Sequence, residues 1–178
     1  MPTLKETLRK IMKRLADERP RFCSEADFQF ALAWKIQESY PNAEIRFECP
    51  AKQSDKSIEI DIVANLGGKL FPMELKRKLE RSPSGNTGGD TVARKQMLED
   101  IEQLKKLQME QMDMKNMNFT AIPKIITNCF AIWLSDNHRF WTEGGKNSFF
   151  DCEEYGIPKI SWEDYAGEFR FALIEIAK

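Results

Sequence analysis

Two stretches near the middle of the chain alternate apolar and polar residues with the period of a β-strand, and adjacent glycines separate them. The stretches are Ser57–Ala64 (SIEIDIVA) and Lys69–Lys76 (KLFPMELK), and Gly67-Gly68 lies between them. Adjacent glycines supply the positive φ values that a tight hairpin turn requires. The pattern therefore predicts two antiparallel strands joined by a short turn.

The register of this hairpin decides which side chains face each other. If Gly67 and Gly68 form the turn, paired residue numbers sum to 135, and Asp61 lies directly opposite Glu74. A four-residue loop keeps that register, whereas a three-residue loop breaks it. Because side chains alternate along a strand, Lys76 falls on the same face as Glu74. The sequence thus predicts two carboxylates and an amine in one small volume.

The rest of the pattern predicts helices and strands on both sides of the hairpin. Apolar residues at helical spacing, with capping residues at Thr3 and Ser24, predict three helices: Thr3 to about Asp17, Ser24 to about Ser39, and Thr91 to about Lys115. Further strands are predicted at Glu44–Cys49, Lys124–Leu134 and Glu168–Ile176, with a helix as the alternative for the last. This order predicts a mixed α/β layer fold.

Composition narrows the class of protein. The 178 residues, 42% of them hydrophobic and 31% charged, are typical of one soluble globular domain. The formal net charge of −1 gives no overall attraction to nucleic acid, so such binding would depend on local patches. No apolar run approaches the length of a membrane span, and the four cysteines show no C-x-x-C spacing. We therefore expect a cytoplasmic protein with reduced thiols and no membrane partner.

The opposed acids indicate a metal site. Two carboxylates at this separation repel each other. The opposed pair of Asp61 and Glu74 therefore stabilises the sheet only if a cation lies between them. Mg²⁺ prefers oxygen ligands and keeps several waters, so one or two carboxylates and a substrate phosphate hold it. Lys76 would orient or deprotonate an attacking water, or stabilise developing negative charge. Glu25, seven residues before Leu32 on the inward stripe of the second helix, would add a third carboxylate.

The pattern Glu25 … Asp61 … Glu74-Leu75-Lys76 resembles the PD-(D/E)xK, or restriction-endonuclease-like, nucleases. The resemblance implies an α/β fold with a three-layer core, in which helices flank a mixed central β-sheet in the order α-β-β-β-α-β. It implies that Asp61 and Glu74 hold Mg²⁺ together with the main-chain carbonyl of Leu75. It also implies that Lys76 serves the attacking water. Glu25 matches the helix acid of Holliday-junction resolvases and some exonucleases.

The same resemblance assigns regions and substrate contacts. It implies a single nuclease-like domain over 1–178, with an N-terminal helix (1–20), a catalytic core (24–134) and C-terminal strands and loops (135–178). Family members often carry polar or basic residues at the start of the helix after the catalytic strand, where this chain has Arg94, Lys95 and Gln96. Arg77 and Lys78 would form a phosphate-binding edge, or simply a solvated basic strand end.

Ile60, rather than the proline of the family pattern, precedes Asp61, as in many family members. The expected function is that of a magnesium-dependent nuclease, with Mn²⁺ as a substitute, which hydrolyses phosphodiester bonds in DNA, as an endodeoxyribonuclease. RNA as the substrate and exonucleolytic cleavage stay open. DNA is the expected partner, and a homodimer or a partner subunit would supply the binding surface that near-neutral charge does not.

Alternative interpretations exist for the same residues. Asp61 and Glu74 would be exposed members of a surface charge ladder, in which Glu59 faces Lys76 as a salt bridge. Glu25 would then be a helix N-terminal acid favoured by the helix dipole.

Two other functional classes are compatible with the sequence. The same fold would serve as a non-catalytic DNA- or protein-binding subunit. Alternatively, an unrelated α/β interaction protein would dock a partner through the helix Thr91–Lys115 and the methionine-rich tract Met109–Met117.

Overall fold

The computed structural model describes residues 3–53, 56–79, 90–110, 119, 125–144, 148–149 and 160–177. Within these ranges the chain forms three α-helices, seven β-strands and a short 3-10 turn. Their bounds are α1 (Leu4–Glu18), α2 (Glu25–Ser39), β1 (Glu44–Gln53), β2 (Lys56–Leu66), β3 (Lys69–Lys78), α3 (Asp90–Glu110), β4 (Ile125–Ile126), β5 (Cys129–Ser135), the 3-10 turn (His138–Phe140), β6 (Trp162–Asp164) and β7 (Arg170–Ile176).

The described strands form one mixed sheet. Its order is β1-β2-β3-β5-β7-β6, and the short β4 also pairs with β3. Strand β3 runs parallel to β4 and β5, whereas the other neighbours are antiparallel. A parallel pair needs a crossover connection, and α3 lies between β3 and β5 in the chain. The predicted α/β class with a mixed sheet is therefore confirmed.

The sheet separates two hydrophobic cores. Helices α1 and α2 pack on one face through buried residues such as Leu8 and Phe28, together with Leu75 of the sheet; we call this the α1–α2 core. Helix α3 packs on the other face through residues such as Met97, together with Trp133 of the sheet; we call this the α3 core. The sheet is thus covered by helices on both faces, which is why β5 is buried along its whole length.

The predicted hairpin between β2 and β3 is confirmed. Gly67 and Gly68 have φ values of 62° and 86°, the left-handed conformation that favours glycine. From the turn to the Ile62–Met73 pair, the paired residue numbers sum to 135. Continuing this register by one residue brings Asp61 next to Glu74.

The first two helices begin where the sequence predicts. Thr3 caps α1 in a capping box with Glu6, whose carboxylate accepts a hydrogen bond from the Thr3 amide at 2.8 Å. Ser24 caps α2, since its hydroxyl accepts a hydrogen bond from the amide of Asp27 at 3.0 Å. The cap at Ser24 makes Glu25 the first residue of α2.

The prediction of one continuous strand over Lys124–Leu134 is wrong. Strand β4 ends at Ile126 and β5 begins at Cys129. At the break, the Gln108 amide donates to the Thr127 carbonyl at 3.0 Å, and the Asn128 amide donates to the Glu175 carboxylate at 2.6 Å. The Thr127 amide still donates to the Leu70 carbonyl of β3 at 3.0 Å, so the side-chain hydrogen bonds satisfy the other polar groups of the break. The final strand is confirmed, although it begins at Arg170 and not at Glu168.

Several predictions concern residues outside the described ranges. They are residues 82–89 of the loop that the glycine- and serine-rich stretch Ser82–Asp90 predicts, the end of the third helix beyond Glu110, most of the methionine-rich tract, and Cys152. The other three cysteines are free thiols, of which Cys49 and Cys129 are buried and Cys23 is exposed. No helix in the described part of the chain combines the length and the apolar character that crossing a membrane requires.

Candidate active site

Five ionisable side chains from four elements meet at the edge of the α3 core. Glu25 begins α2, Asp61 lies in β2, Glu74 and Lys76 lie in β3, and Asp100 lies in α3. The structure therefore brings together all four residues that the sequence predicted for the centre of the site and adds Asp100. We refer to these five residues as the acidic cluster.

Strand alternation aims the two β3 residues at α3. Leu75 lies between Glu74 and Lys76 and is buried in the α1–α2 core, on the opposite face of the sheet. Glu74 and Lys76 therefore face the α3 side, where Asp100 is located. This placement rules out the alternative of a solvent-facing charge ladder, because only 5% of Glu74 is exposed.

Asp61 is held from two sides. Its Oδ2 accepts a hydrogen bond from the main-chain amide of Leu75 at 2.6 Å, which ties the middle of β2 to β3. Its main-chain carbonyl accepts a hydrogen bond from the side-chain amide of Gln29 at 2.6 Å. Burial raises the pKa of the Asp61 carboxyl, although hydrogen bonds from Leu75 and Glu74 oppose that rise.

Glu74 is the most deeply buried acid of the cluster. Burial raises its pKa to about 10, and the nearby Asp61 and Asp100 carboxylates add to the rise. The raised pKa favours the protonated form of Glu74 beside Asp61. Glu74 Oε1 is buried and has no hydrogen-bond partner among the described residues. A buried oxygen left without a partner is costly, so the site lacks a positive or donating group at this point.

Lys76 forms ion pairs with acids from two helices. Its Nζ lies 3.5 Å from Glu25 Oε1 and 3.8 Å from Asp100 Oδ2. Burial alone would lower the pKa of Lys76, but the surrounding carboxylates, of which Asp100 has the largest effect, raise it instead. Lys76 is therefore a charged ammonium, and the predicted alternative pairing with Glu59 is replaced by these two ion pairs.

Glu25 is fixed to the strand as well as to the lysine. Its Oε2 accepts a hydrogen bond from the main-chain amide of Arg77 at 2.8 Å. A position at the start of α2 also favours a negative charge because of the helix dipole. Both interpretations offered by the sequence thus apply, since this helix N-terminal acid also points into the cluster.

Asp100 was missed by the reasoning from sequence. It follows Met97 by three residues and precedes Leu104 by four, and both of these are fully buried. This spacing places Asp100 on the inward face of α3. The same spacing is the sequence signal that could have identified Asp100 as a site residue. Burial raises the pKa of the Asp100 carboxyl to about 6, while the ammonium of Lys76 opposes the rise. Its buried Oδ2 makes no hydrogen bond within the described residues.

Gln29 and Glu48 were also missed. The Gln29 amide nitrogen donates both to the Asp61 carbonyl and to Glu48 Oε1, the latter at 2.9 Å. Glu48 lies in β1 with a φ of 48°, and it is the one residue other than glycine with positive φ in the described ranges. No pattern in the sequence indicates this backbone conformation.

The predicted substrate-binding residues have diverse surroundings. Lys78 Nζ lies 3.9 Å from Asp90 Oδ1, and Arg77 Nε is buried without a hydrogen-bond partner in the described part of the chain. Arg94 Nε donates to the carbonyl of Ser148 at 3.1 Å, and its guanidinium covers the ring of Phe149.

The remaining two residues of that predicted set are exposed on α3. Lys95 forms an ion pair with Glu99 at 3.5 Å, and Gln96 is open to solvent. Arg94 thus has a packing role in the fold, whereas Lys95 and Gln96 are accessible to a large ligand.

The donor atoms of the cluster suit a hard divalent cation. Within the described ranges, no group of three or more acidic, histidine or cysteine side chains is arranged so that it could hold a metal ion. Mg²⁺, however, needs only one or two carboxylates beside its waters and substrate oxygens. Glu74 Oε1 is buried without a hydrogen-bond partner among the described residues, and a cation beside it and Asp61 would satisfy both acids.

Comparisons of the chain with protein-family models, curated proteins and solved structures found no match. The residues of the acidic cluster are therefore the basis for any functional conclusion.

Proposed function

We propose that this protein is a magnesium-dependent nuclease that hydrolyses phosphodiester bonds of DNA, with the restriction-endonuclease-like fold. The observation that carries the proposal is Glu74, whose buried Oε1 has no hydrogen-bond partner among the described residues and whose neighbour is a second acid, Asp61. A protein has no stabilising reason to bury two adjacent carboxyls in this way. Binding of a divalent cation supplies that reason.

The order of elements supports the fold assignment. Helix α2, the three strands β1 to β3, helix α3 and strand β5 follow the α-β-β-β-α-β order of this class of nucleases. The acids lie at the expected points of that order, on the first helix and on the second and third strands. Fold similarity alone does not establish an activity, so the chemistry of the cluster carries the functional part of the proposal.

Each residue of the cluster has a defined task in this proposal. Asp61, Glu74 and the main-chain carbonyl of Leu75 would hold the cation. Bound Mg²⁺ acidifies water and neutralises negative charge on a phosphoryl oxygen. Lys76, which Glu25 and Asp100 keep protonated and oriented, stabilises the negative charge that develops on the phosphate during attack. Mn²⁺ would substitute, because it accepts the same oxygen ligands.

The substrate would approach across α3 and the end of β3. Lys95 and Gln96 are exposed there, and Lys78 lies near the same end of β3. Since the formal net charge is only −1, we expect weak and salt-sensitive binding to DNA by the isolated chain. A second copy or a partner subunit would strengthen that binding.

A cleavage assay tests the proposal directly. The purified protein would be incubated with plasmid, linear, single-stranded and branched DNA, and with RNA, in EDTA, Mg²⁺ or Mn²⁺. Glu74→Ala and Lys76→Ala would be run in parallel. Asp164→Ala serves as the matched control, because it removes an acid whose side chain is 92% exposed and which pairs with Arg170 away from the cluster.

Metal-dependent cleavage that is lost in Glu74→Ala and kept in Asp164→Ala would support the proposal. Cleavage that persists in Glu74→Ala would refute it. If calorimetry detects neither Mg²⁺ nor Mn²⁺ binding and no substrate is cleaved, the protein is instead the non-catalytic binding subunit that the sequence also allows.

A further inference from the structure

Strands β1 and β2 share a local distortion at the point where they meet the acidic cluster. The register pairs Phe47 with Ile62 and Cys49 with Ile60, so Glu48 lies beside Asp61. The φ of Glu48 is 48°, a left-handed conformation that residues with a Cβ atom rarely adopt. A backbone outlier of this kind persists only where the surrounding structure fixes it.

The distortion changes the face of the sheet to which the side chains of β1 and β2 point. Ile60 and Ile62 are two residues apart, and regular alternation would place both on one face. Ile62 instead belongs to the α1–α2 core, whereas Ile60 belongs to the α3 core. Strand β1 shows the same reversal, because Ile45 packs against the α1–α2 core and Cys49 lies in the α3 core. Both reversals occur across the Glu48–Asp61 position.

A single side chain holds this distorted position from α2. The amide nitrogen of Gln29 donates to Glu48 Oε1 at 2.9 Å and to the main-chain carbonyl of Asp61 at 2.6 Å. Only 8% of Gln29 is exposed. Leaving its buried side-chain amide without a hydrogen-bond acceptor therefore costs free energy of folding. The carboxylate of Glu48 therefore orients an amide that in turn fixes the backbone of Asp61.

We infer that Glu48 is a positioning residue for the candidate metal site: through Gln29, it fixes the backbone of Asp61 within strand β2 so that the Asp61 side chain faces Glu74. The effect of Glu48 on metal binding and cleavage rests on the proposed function. Its effect on the position of Asp61 does not. The left-handed conformation at Glu48 has a structural purpose. It reverses the faces of the sheet to which the side chains of β1 and β2 point next to Asp61. A glycine would fit that backbone more easily, but it would carry no carboxylate for Gln29.

Three substitutions separate the carboxylate from the backbone. Glu48→Ala removes the carboxylate and keeps the unfavourable backbone. Glu48→Gly removes the carboxylate and relieves the backbone, so we expect its Tm to exceed that of Glu48→Ala by about 2–4 °C. Glu48→Gln keeps an oxygen that accepts from Gln29. Glu44→Ala is the control, because it removes an acid from the same strand at the end that pairs with Asn65.

The first readout requires neither metal nor activity. The amide of Leu75 donates to Asp61 Oδ2, so its hydrogen exchange reports the position of Asp61. We expect this amide to exchange about tenfold faster in Glu48→Ala and Glu48→Gly, and at the native rate in Glu48→Gln and Glu44→Ala. The amides of Val63–Leu66 should be unaffected. Native exchange at Leu75 in both the Ala and Gly variants would overturn the inference, whether or not the protein is a nuclease.

The second readout is Mn²⁺ affinity by calorimetry, together with kcat and KM for cleavage. Substituting a group that orients a metal ligand typically costs about 10–100-fold in metal affinity or activity. We expect this loss in both Glu48→Ala and Glu48→Gly despite their different Tm values, with recovery in Glu48→Gln. If the losses follow Tm instead, Glu48 has only a structural role. If the wild-type chain neither binds Mn²⁺ nor cleaves, the proposed function fails, and exchange at Leu75 still decides the positioning role.

Discussion

Lys76 Nζ lies 3.8 Å from Asp100 Oδ2, so helix α3 supplies a carboxylate to a lysine on the central strand. Glu25 of α2 lies 3.5 Å from the same nitrogen on another side. The lysine is thus held between two helices, which restricts the rotamers of a long and flexible side chain. This arrangement leaves its ammonium beside Asp61 and Glu74, where the proposed reaction would take place.

Replacing Asp100 by asparagine should change the ionisation of Lys76. Asp100 is the carboxylate that most strongly raises the pKa of Lys76, and burial acts in the opposite direction. Without it, we expect the pKa of Lys76 to fall and DNA cleavage to drop on the order of 10–100-fold. An NMR titration of the lysine side chain measures the first effect. Glu99→Gln is the control on the exposed side of α3, and an unchanged Lys76 titration in Asp100→Asn would contradict the prediction.

The metal-free protein should lose stability as the pH rises. The pKa of Glu74 is about 10 in the folded chain and near 4.5 without the fold, so above pH 4.5 the folded state binds a proton that the unfolded state has released. Stability therefore falls with increasing pH, by up to about 1.4 kcal/mol per pH unit for this one group. Urea unfolding in EDTA between pH 5 and pH 9 measures the slope.

Glu74→Gln tests the origin of that slope. Glutamine has nearly the same shape and does not titrate, so the pH dependence of the metal-free variant should be distinctly flatter. A slope identical to that of the wild type would show that other groups, such as Asp100 with its pKa of about 6, cause the effect.

Mg²⁺ should stabilise the wild-type protein more at high pH than at low pH. A cation that binds Asp61 and Glu74 competes with the proton that the raised pKa of Glu74 favours, so binding strengthens as the pH rises. At a concentration one hundred times Kd, binding adds about 2.7 kcal/mol, which corresponds to an increase in Tm of about 5–10 °C. Scanning calorimetry with Mg²⁺ and with EDTA measures the shift, and Asp61→Asn should abolish it. An equal shift in that variant would place the cation elsewhere.

The hairpin was predictable because its chemistry is local. Two adjacent glycines specify the turn, and the turn specifies the register that brings Asp61 to Glu74. Asp100 was harder to predict from the sequence. A charged residue on a helix is expected to face solvent unless a buried partner, here Lys76 of β3, is known. The broken strand before Cys129 also depended on distant partners, namely the amide of Gln108 and the carboxylate of Glu175.

The conformation of Glu48 was not predictable at all. Local preference opposes a positive φ for glutamate, so only tertiary contacts such as the Gln29 hydrogen bond hold it there. Places where local preference and the observed backbone disagree are expected at functional sites. The sequence thus predicts four of the five side chains of the acidic cluster, whereas the structure adds Asp100 and shows how their positions are fixed.

The turn between β2 and β3 provides a final test, that of its own left-handed backbone conformation. Gly67 has a φ of 62° and no atom within 4 Å of a Cβ placed on it, so a substitution there acts through the backbone alone. Gly67→Ala should destabilise the protein by about 1–2 kcal/mol, and Gly67→Asn by less, because asparagine tolerates the left-handed conformation. Urea unfolding measures both values. Metal affinity should stay native in both variants, since the turn is remote from Glu74 in the strand. Equal stability of the Ala variant and the wild type would mean that the turn does not adopt this conformation.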